Sequence, residues 1–209
     1  MKIVFATGNK GKLREASEIL GPAFELQTPA QLGITDELPE TAMTIEENSL
    51  QKAMALRELC GLDCFADDTG LEVDALGGAP GAHAARFATD VALRDGLPLP
   101  ADDHDFDANI DALLRELEKH PGAPRTARFR SVVTLLLGDE VHIFEGTMEG
   151  RIAFERSGCR GFGYDPVFVA DDYPDRSVAE LPDELKNAIS HRGKALRKMA
   201  AWLKQNGYE

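Results

Sequence analysis

The alternation of short apolar runs with helical periodicity near the amino terminus is the feature that most restricts the fold. Residues 2–7 form an apolar run of strand length, and Lys10–Leu20 places apolar side chains at helical spacing before Gly21-Pro22 ends the pattern. A second short apolar run covers 24–28. Alternating strands and helices of this kind indicate an α/β domain.

The rest of the chain adds helices and a β-rich section. Thr44 and Glu47 form a capping box, which predicts that a helix begins at about residue 45. Further predicted elements are a helix over 45–60, strands at 64–66 and 72–75, a helix around 110–117, strands over 125–137, 141–146 and 147–155 with a hairpin turn at Asp139-Glu140, and a helical tail from Leu185 onward. These elements predict a long central mixed β-sheet flanked by helices. We expect a single domain over 1–209, with two lobes and a cleft between them.

The charge and the apolar pattern restrict the partners and the compartment. The formal net charge is −13 at pH 7, whereas binding to a phosphate backbone requires clustered Lys and Arg. We therefore expect neither nucleic acid nor an anionic membrane as a partner. The apolar start is too short for a signal peptide, and no run approaches the ~20 apolar residues of a membrane helix. A cytoplasmic location is the simplest expectation.

A strand followed by a loop rich in Gly and Lys, and then by a helix, is the first candidate motif. The loop reads Ala6-Thr7-Gly8-Asn9-Lys10-Gly11-Lys12. The first amides of a helix have no intrahelical partner and favour anions, and glycine allows a close approach of the backbone. Lys12 would add a charge for a phosphate. An ordinary strand-to-helix turn with a solvated lysine is the alternative.

Two adjacent aspartates, Asp67 and Asp68, follow an apolar strand and form the second motif. Carboxylates at a strand end commonly hold a hard cation such as Mg²⁺. Because successive residues of a strand face opposite ways, only one of the two would reach the ion if the strand continues. Glu40, in a predicted loop, is a further candidate ligand, whereas Glu46 and Glu47 are better explained by helix capping. A turn-capping role for the aspartates is the alternative.

The third motif is an aromatic loop that contains Phe162, Gly163, Tyr164 and Asp165. Aromatic faces stack on nucleobases, and Gly163 would allow a planar ligand to approach the backbone. Asp165 could accept a hydrogen bond from a base. The alternative is a loop packed on the core.

The fourth motif concentrates positive charge near the carboxyl end of an acidic chain. It consists of Lys186 and Ser190-His191-Arg192. Ser190 is placed to cap the last helix, and Arg192 could donate paired hydrogen bonds to a phosphate or carbonyl group. A structural role for His191 is the alternative.

Six segments together form a pattern that is far more specific than any one of them. They are ATGNKGK (6–12), PET (39–41), ENSLQKA (47–53), ADDTGLEVDALGGAPG (66–81), GFGYDPVF (161–168) and LKNAISHRGKAL (185–196). In order and spacing they closely resemble the inosine triphosphate pyrophosphatase family, specifically its bacterial dITP/XTP pyrophosphatase branch. The resemblance implies a homodimeric, Mg²⁺-dependent enzyme that hydrolyses dITP, ITP and XTP to the monophosphate and pyrophosphate and so cleanses the nucleotide pool.

The resemblance also implies roles for individual residues. It implies that Asp68 is the general base and, together with Glu40, contacts the metal ion. The positions that it implies as substrate contacts are Thr7, Gly8, Asn9, Lys10, Gly11, Lys12, Lys52, Thr69, Phe162, Gly163, Tyr164, Asp165, Lys186, His191 and Arg192. The segment 90–107 departs from the family pattern, and its local structure is not predicted.

Three other functions compete with this one. A pyrophosphatase for modified pyrimidine nucleotides is disfavoured by the purine-sized aromatic loop and the basic segment at 190–192. A non-catalytic nucleotide sensor would not need the acidic residues Glu40, Asp67 and Asp68. A nucleic-acid-binding module is disfavoured by the net charge.

Overall fold

The computed structural model describes residues 1–208. The helices are α1 (Lys10–Leu20), α2 (Ile45–Cys60), α3 (Phe87–Asp95), α4 (Phe106–Glu118), α5 (Asp183–Ile189) and α6 (His191–Gln205). The strands are β1 (Lys2–Phe5), β2 (Glu25–Gln27), β3 (Cys64–Val73), β4 (Pro80–Gly81), β5 (Thr126–Leu137), β6 (Glu140–Ile152) and β7 (Phe168–Ala170). Among the helices of this part of the chain, none combines the length and the apolar character that a membrane span requires.

The strands form one mixed sheet in the order β2-β1-β3-β5-β6-β7, with β4 paired to β3. β1 runs parallel to β2 and β3, whereas the β3–β4 and β6–β7 pairs are antiparallel. The predicted α/β fold with a mixed sheet is therefore confirmed.

The chain divides into two compact units. Unit 1 comprises residues 1–69, 130–147 and the chain from Ser190 onward, and unit 2 comprises residues 70–129 and 148–189. Each unit contains its own hydrophobic core.

In unit 1, both faces of the sheet are buried. Phe5 and Phe65 stack with ring centroids 4.3 Å apart on the face that carries α1 and α6. Cys64 and Ala66 lie on the other face, against Ala53 of α2. Because side chains alternate along a strand, the residues that continue β3 also alternate between these two faces.

Unit 2 contains the end of β3 and a core built mainly by α3, α4 and β7. Its most buried large side chains include Leu71, Ile110, Leu113 and Phe168. The aromatic loop at 161–165 precedes β7 and belongs to this unit.

Three predicted boundaries differ from the structure. The strands predicted at 64–66 and 72–75 are one strand, β3, because its central aspartates find ion-pair or hydrogen-bond partners and need not leave the sheet. The predictions at 141–146 and 147–155 also merge, into β6. The helical tail is broken at Ser190, whose hydroxyl accepts a hydrogen bond from the amide of Gly193 and caps α6. The strand β7 was not predicted.

Gly146 in β6 allows α6 to pack directly on the sheet. A Cβ atom at this position would collide with the carbonyl oxygen of His191 and lie 2.6 Å from the amide nitrogen of Ala195. The approach therefore fixes the position of the first turn of α6, which contains His191 and Arg192.

Gly146→Ala should destabilise unit 1, because the added methyl group can fit only if α6 moves away from β6. We expect the free energy of unfolding to fall by ~1–3 kcal/mol in urea denaturation. An unchanged denaturation midpoint would show that this close approach does not constrain α6.

Candidate active site

Asp67 links the amino-terminal loop to the last helix. Its side chain lies on the face of β3 that carries α1 and α6 and is fully buried. Lys12 Nζ lies 3.0 Å from both carboxylate oxygens, and Arg192 Nε donates to Oδ2 at 2.8 Å. Glu15 also contacts the Arg192 guanidinium group, at 3.4 Å. Two cations from opposite ends of the sequence therefore share one buried carboxylate.

The charge of Asp67 is maintained by these partners. Burial alone would raise the pKa of Asp67, but the charges of Lys12 and Arg192 outweigh that effect and hold the pKa well below its usual value. Burial also lowers the pKa of Lys12, and the attraction of Asp67 opposes it. Asp67 is therefore ionised at every pH at which the fold is expected to work.

Asp68 projects from the opposite face of β3, toward α2. The side chain of Asn48 hydrogen-bonds to its carboxylate, and Asn48 Oδ1 in turn accepts a hydrogen bond from the amide of Ala42 at 2.8 Å. Oδ2 of Asp68 is buried and has no hydrogen-bond partner among residues 1–208. A carboxylate oxygen in this state is a free acceptor for a metal ion or a water molecule.

The surroundings of Asp68 adjust its acidity. Burial raises the pKa of Asp68 to about 6; the charge of Lys52 lowers the pKa, and the charge of Glu40 raises it. Lys52, which is itself buried, forms an ion pair with Glu40. A carboxyl group with a pKa near neutrality is suited to exchange protons at physiological pH.

The acidic residues on this face have the chemistry that Mg²⁺ requires. Within the described chain there is no cluster of three or more His, Cys, Asp or Glu residues that could hold a metal ion. Mg²⁺ usually keeps several waters and binds through one or two carboxylates plus substrate phosphates. Glu40 and Asp68 supply two carboxylates whose charges interact, and Oδ2 of Asp68 is available as a ligand. The pair therefore fits such an ion.

The loop at 7–12 lies beside the aspartates. Register places Phe5 opposite Phe65, and the amide of Ala6 donates to the carbonyl of Phe65 at 2.8 Å, so the loop begins next to Asp67. Because this loop follows the carboxyl end of β1 and opens α1, the first helical amides face the same region as Lys12.

The amides of this loop differ in their availability. Asn9 Oδ1 accepts hydrogen bonds from the amides of Gly11 and Lys12, at 2.8 and 3.2 Å. A Cβ on Gly11 would lie 3.1 Å from that oxygen, so the glycine accommodates the cap. Gly8 is exposed, and the space around its Cα is open. Of the predicted phosphate-binding amides, those of Gly11 and Lys12 are therefore already used by Asn9.

Three further residues that were predicted as substrate contacts also lie in unit 1. Thr7 is buried, and its hydroxyl accepts a hydrogen bond from the amide of Asn9 at 3.1 Å. Thr69 donates to the buried hydroxyl of Ser131 at 3.2 Å. His191 is the first residue of α6 and is half-buried.

In unit 2, the aromatic loop is held by its polar side chains. Asp165 is buried, accepts a hydrogen bond from the amide of Phe162 at 2.9 Å and pairs with Lys186 at 2.6 Å. Tyr164 is buried as well, and its hydroxyl donates to the carbonyl of Ala84 at 2.8 Å. The Phe162 ring is 62% exposed, and Lys186 Nζ lies 4.8 Å from its centroid. Phe162 is thus the member of this loop that offers an aromatic face to a ligand.

The structure groups the predicted residues into three clusters. Lys12, Asp67 and Arg192 form the first, and Glu40, Lys52 and Asp68 form the second, both in unit 1. Phe162, Asp165 and Lys186 form the third, in unit 2.

Sequence reasoning missed two residues that support these clusters. Asn48 holds Asp68, and Glu15 holds Arg192. Their helical spacing could have identified both. Asn48 precedes Lys52 by four residues in α2, and Glu15 follows Lys12 by three residues in α1. Each residue therefore lies on the same helix face as a lysine that was predicted to contact the substrate.

Asp68→Asn is expected to stabilise the folded protein above pH 6. The group has a pKa of about 6 when folded and of about 4 when unfolded, so it binds its proton more tightly in the folded state. The carboxyl group of Asp68 stabilises the folded state fully below about pH 4, and this stabilisation is lost as the pH rises through about 6. The substitution should raise the free energy of unfolding in urea at pH 8 by ~1–3 kcal/mol, with no difference near pH 4.

Asp67→Asn is the matched control with the opposite sign. It removes the charge that compensates Lys12 and Arg192, so it should lower the free energy of unfolding at pH 8 by ~3–5 kcal/mol. Changes of equal sign in the two variants would contradict the assignment of the aspartates to opposite faces.

Comparison with known proteins shows the family of the chain. The model of the Ham1 family matches residues 3–202. The dITP/XTP pyrophosphatase of Flavobacterium johnsoniae is 42% identical over 199 residues, covering 95% of this chain and 96% of that protein. The dITP/XTP pyrophosphatase of Porphyromonas gingivalis is 44% identical over 202 residues, covering 97% of each chain.

A solved structure extends the agreement to the fold. The Ham1 protein of Staphylococcus aureus superposes with a TM-score of 0.85 at 33% identity, covering 99% of this chain and 100% of that one. Since the family model and the relatives match nearly the full length, the chain belongs to the Ham1 family.

Proposed function

We propose that this chain hydrolyses non-canonical purine nucleoside triphosphates, namely dITP, ITP, XTP and dXTP, to the monophosphate and pyrophosphate. The observation that carries the proposal is the position of Asp68: a buried carboxylate with one unpartnered oxygen, a near-neutral pKa and a lysine beside it. The names of the F. johnsoniae and P. gingivalis relatives support the choice of substrate.

The triphosphate is bound by cations on both sides of β3. A nucleoside triphosphate carries about four negative charges, and phosphoryl transfer depends mainly on positioning and charge stabilisation. Lys12, held by Asp67, faces the phosphates from the α1 side, and Lys52 does so from the α2 side. The exposed backbone at Gly8 and Lys10 adds amide donors at the start of α1. Thr7, Asn9, Gly11 and Thr69 complete the proposed contacts; Gly11 contributes a close approach of the backbone, because its amide is bonded to Asn9.

Asp68 acts on the attacking water. In its ionised form it accepts a proton from, or orients, a water molecule that attacks the α-phosphorus, and pyrophosphate leaves. Asn48 fixes the carboxylate for this role. Glu40 and Asp68 would hold Mg²⁺, which when bound neutralises phosphate charge and supplies Lewis acidity.

Base recognition involves donors for the 6-oxo group and an aromatic face. His191 and Arg192 supply donors that suit hypoxanthine and xanthine, whereas the 6-amino group of adenine would leave a buried donor unpaired. Phe162 stacks on the base, supported by Gly163, Tyr164 and Asp165 within its loop, and Lys186 adds a cation at the ring.

Two further properties belong to the proposal and rest on the resemblance and the composition. The enzyme acts as a homodimer, and it acts in the cytoplasm, where the nucleotide pool is located.

The reaction itself gives a direct test. We expect pyrophosphate, and not orthophosphate, to be released from ITP in the presence of Mg²⁺, with much slower release after chelation by EDTA. Release of orthophosphate as the first product would exclude attack at the α-phosphorus.

Asp68→Asn should lower kcat by ~10²–10⁴-fold while the fold is retained, because the proton acceptor is lost. The exposed Asp36, changed to Asn, is the matched control and should leave kcat unaltered. Near-normal turnover by the Asp68 variant would remove the general base from the mechanism.

A substrate panel tests the selection of the base. kcat/KM for ITP and XTP should exceed that for ATP by ~10²-fold or more, because adenine presents a donor to a donor. Equal values would contradict the role of His191 and Arg192, and a preference for modified pyrimidine nucleotides would point to a different substrate class.

A further inference from the structure

Phe106 is an aromatic residue that neither caps its own helix nor belongs to the buried core of unit 2, as far as residues 1–208 show. It is the first residue of α4, where Asp105 caps the helix by accepting a hydrogen bond from the amide of Ala108 at 3.0 Å. The ring is 46% exposed, and the buried core of unit 2 does not include it within the described chain. Exposure of a large apolar ring to water is unfavourable, so we expect this ring to contact another side chain.

The partner of this ring is Phe162. The two centroids lie 6.4 Å apart with an angle of 46° between the ring planes, which is within the range of favourable aromatic pairs. Phe162 is itself 62% exposed, and the loop around it is anchored through Tyr164 and Asp165. Contact with Phe106 therefore restrains the exposed side chain of an otherwise fixed loop.

The amino end of α4 is also held in place. Arg156 donates to the carbonyl oxygen of Asp107 at 2.7 Å and pairs with the carboxylate of Asp111 at 3.0 Å. The backbone at Phe106 is therefore held in place, and contact with the Phe106 ring can restrict the orientation of the Phe162 ring.

We propose that Phe106 is a positioning residue for base recognition, which orients the Phe162 ring for stacking on the purine. This inference rests on the proposed function, in which Phe162 contacts the base. The segment that departs from the family pattern, 90–107, thereby contributes to substrate binding through Phe106. A pre-ordered ring loses less side-chain entropy on binding, so the effect should fall on KM and spare kcat.

A double-mutant cycle with ITP as substrate tests the inference. Phe106→Ala should raise KM about 3- to 10-fold, the range expected for one aromatic pair, with kcat changed less than about twofold. Phe162→Ala should raise KM further, and adding Phe106→Ala to it should have no additional effect. Phe106→Tyr should restore the KM of the unmodified protein, because it retains the ring.

Phe154→Ala is the matched control, since Phe154 is also an exposed phenylalanine of unit 2 and is 84% exposed. It should leave KM unchanged. An unchanged KM in Phe106→Ala, or an equal effect of that change with and without Phe162, would overturn the inference. If the unmodified protein fails to hydrolyse ITP, the proposed function is wrong, whereas an active protein that is insensitive to Phe106→Ala refutes the positioning role alone.

Discussion

The buried carboxylate of Asp67 is the interaction on which the site in unit 1 depends. It binds Lys12 of α1 and Arg192 of α6, two cations that would otherwise repel each other next to the sheet. Buried cations of this kind require a nearby opposite charge, because desolvation strongly disfavours an isolated ion. The ion pairs therefore fix the amino-terminal loop and the start of α6 relative to the end of β1. The phosphate-binding surface that we propose depends on this arrangement.

The alternation of β3 gives the neighbouring aspartate a different environment. Asp68 faces α2, where Asn48 holds it, Lys52 lies near it and one oxygen lacks a partner. Asp67 is stabilised in its ionised form, whereas the ionised form of Asp68 is destabilised by burial. Such opposed environments keep one carboxylate ionised and give the next a pKa near neutrality, which suits the proton transfer that we propose for Asp68. An active-site group that lowers stability is a common consequence of selection for activity.

Elements with local sequence signals were predictable, and those that depend on distant partners were not. The bounds of α1 and α2 matched because Gly21 and the Thr44 cap act within a few residues. The continuation of β3 through Asp67 was missed, because its partners Lys12 and Arg192 are 55 and 125 residues away in sequence. The same limit applies to the aromatic loop: its composition suggested both Phe162 and Tyr164 as ligand contacts, but Tyr164 is buried, with a hydrogen bond to the distant Ala84.

Affinity for the triphosphate in the absence of metal tests the division of roles between the aspartates most directly. Calorimetric titration of an α,β-methylene analogue of ITP, in buffer that contains EDTA, would compare the unmodified protein with Asp67→Asn and Asp68→Asn. We predict that Asp67→Asn weakens binding at least about tenfold, because Lys12 and Arg192 lose the group that holds them. Asp68→Asn should bind equally well or more tightly, since a negative charge near the phosphates is removed. Equal losses of affinity in both variants would contradict the account.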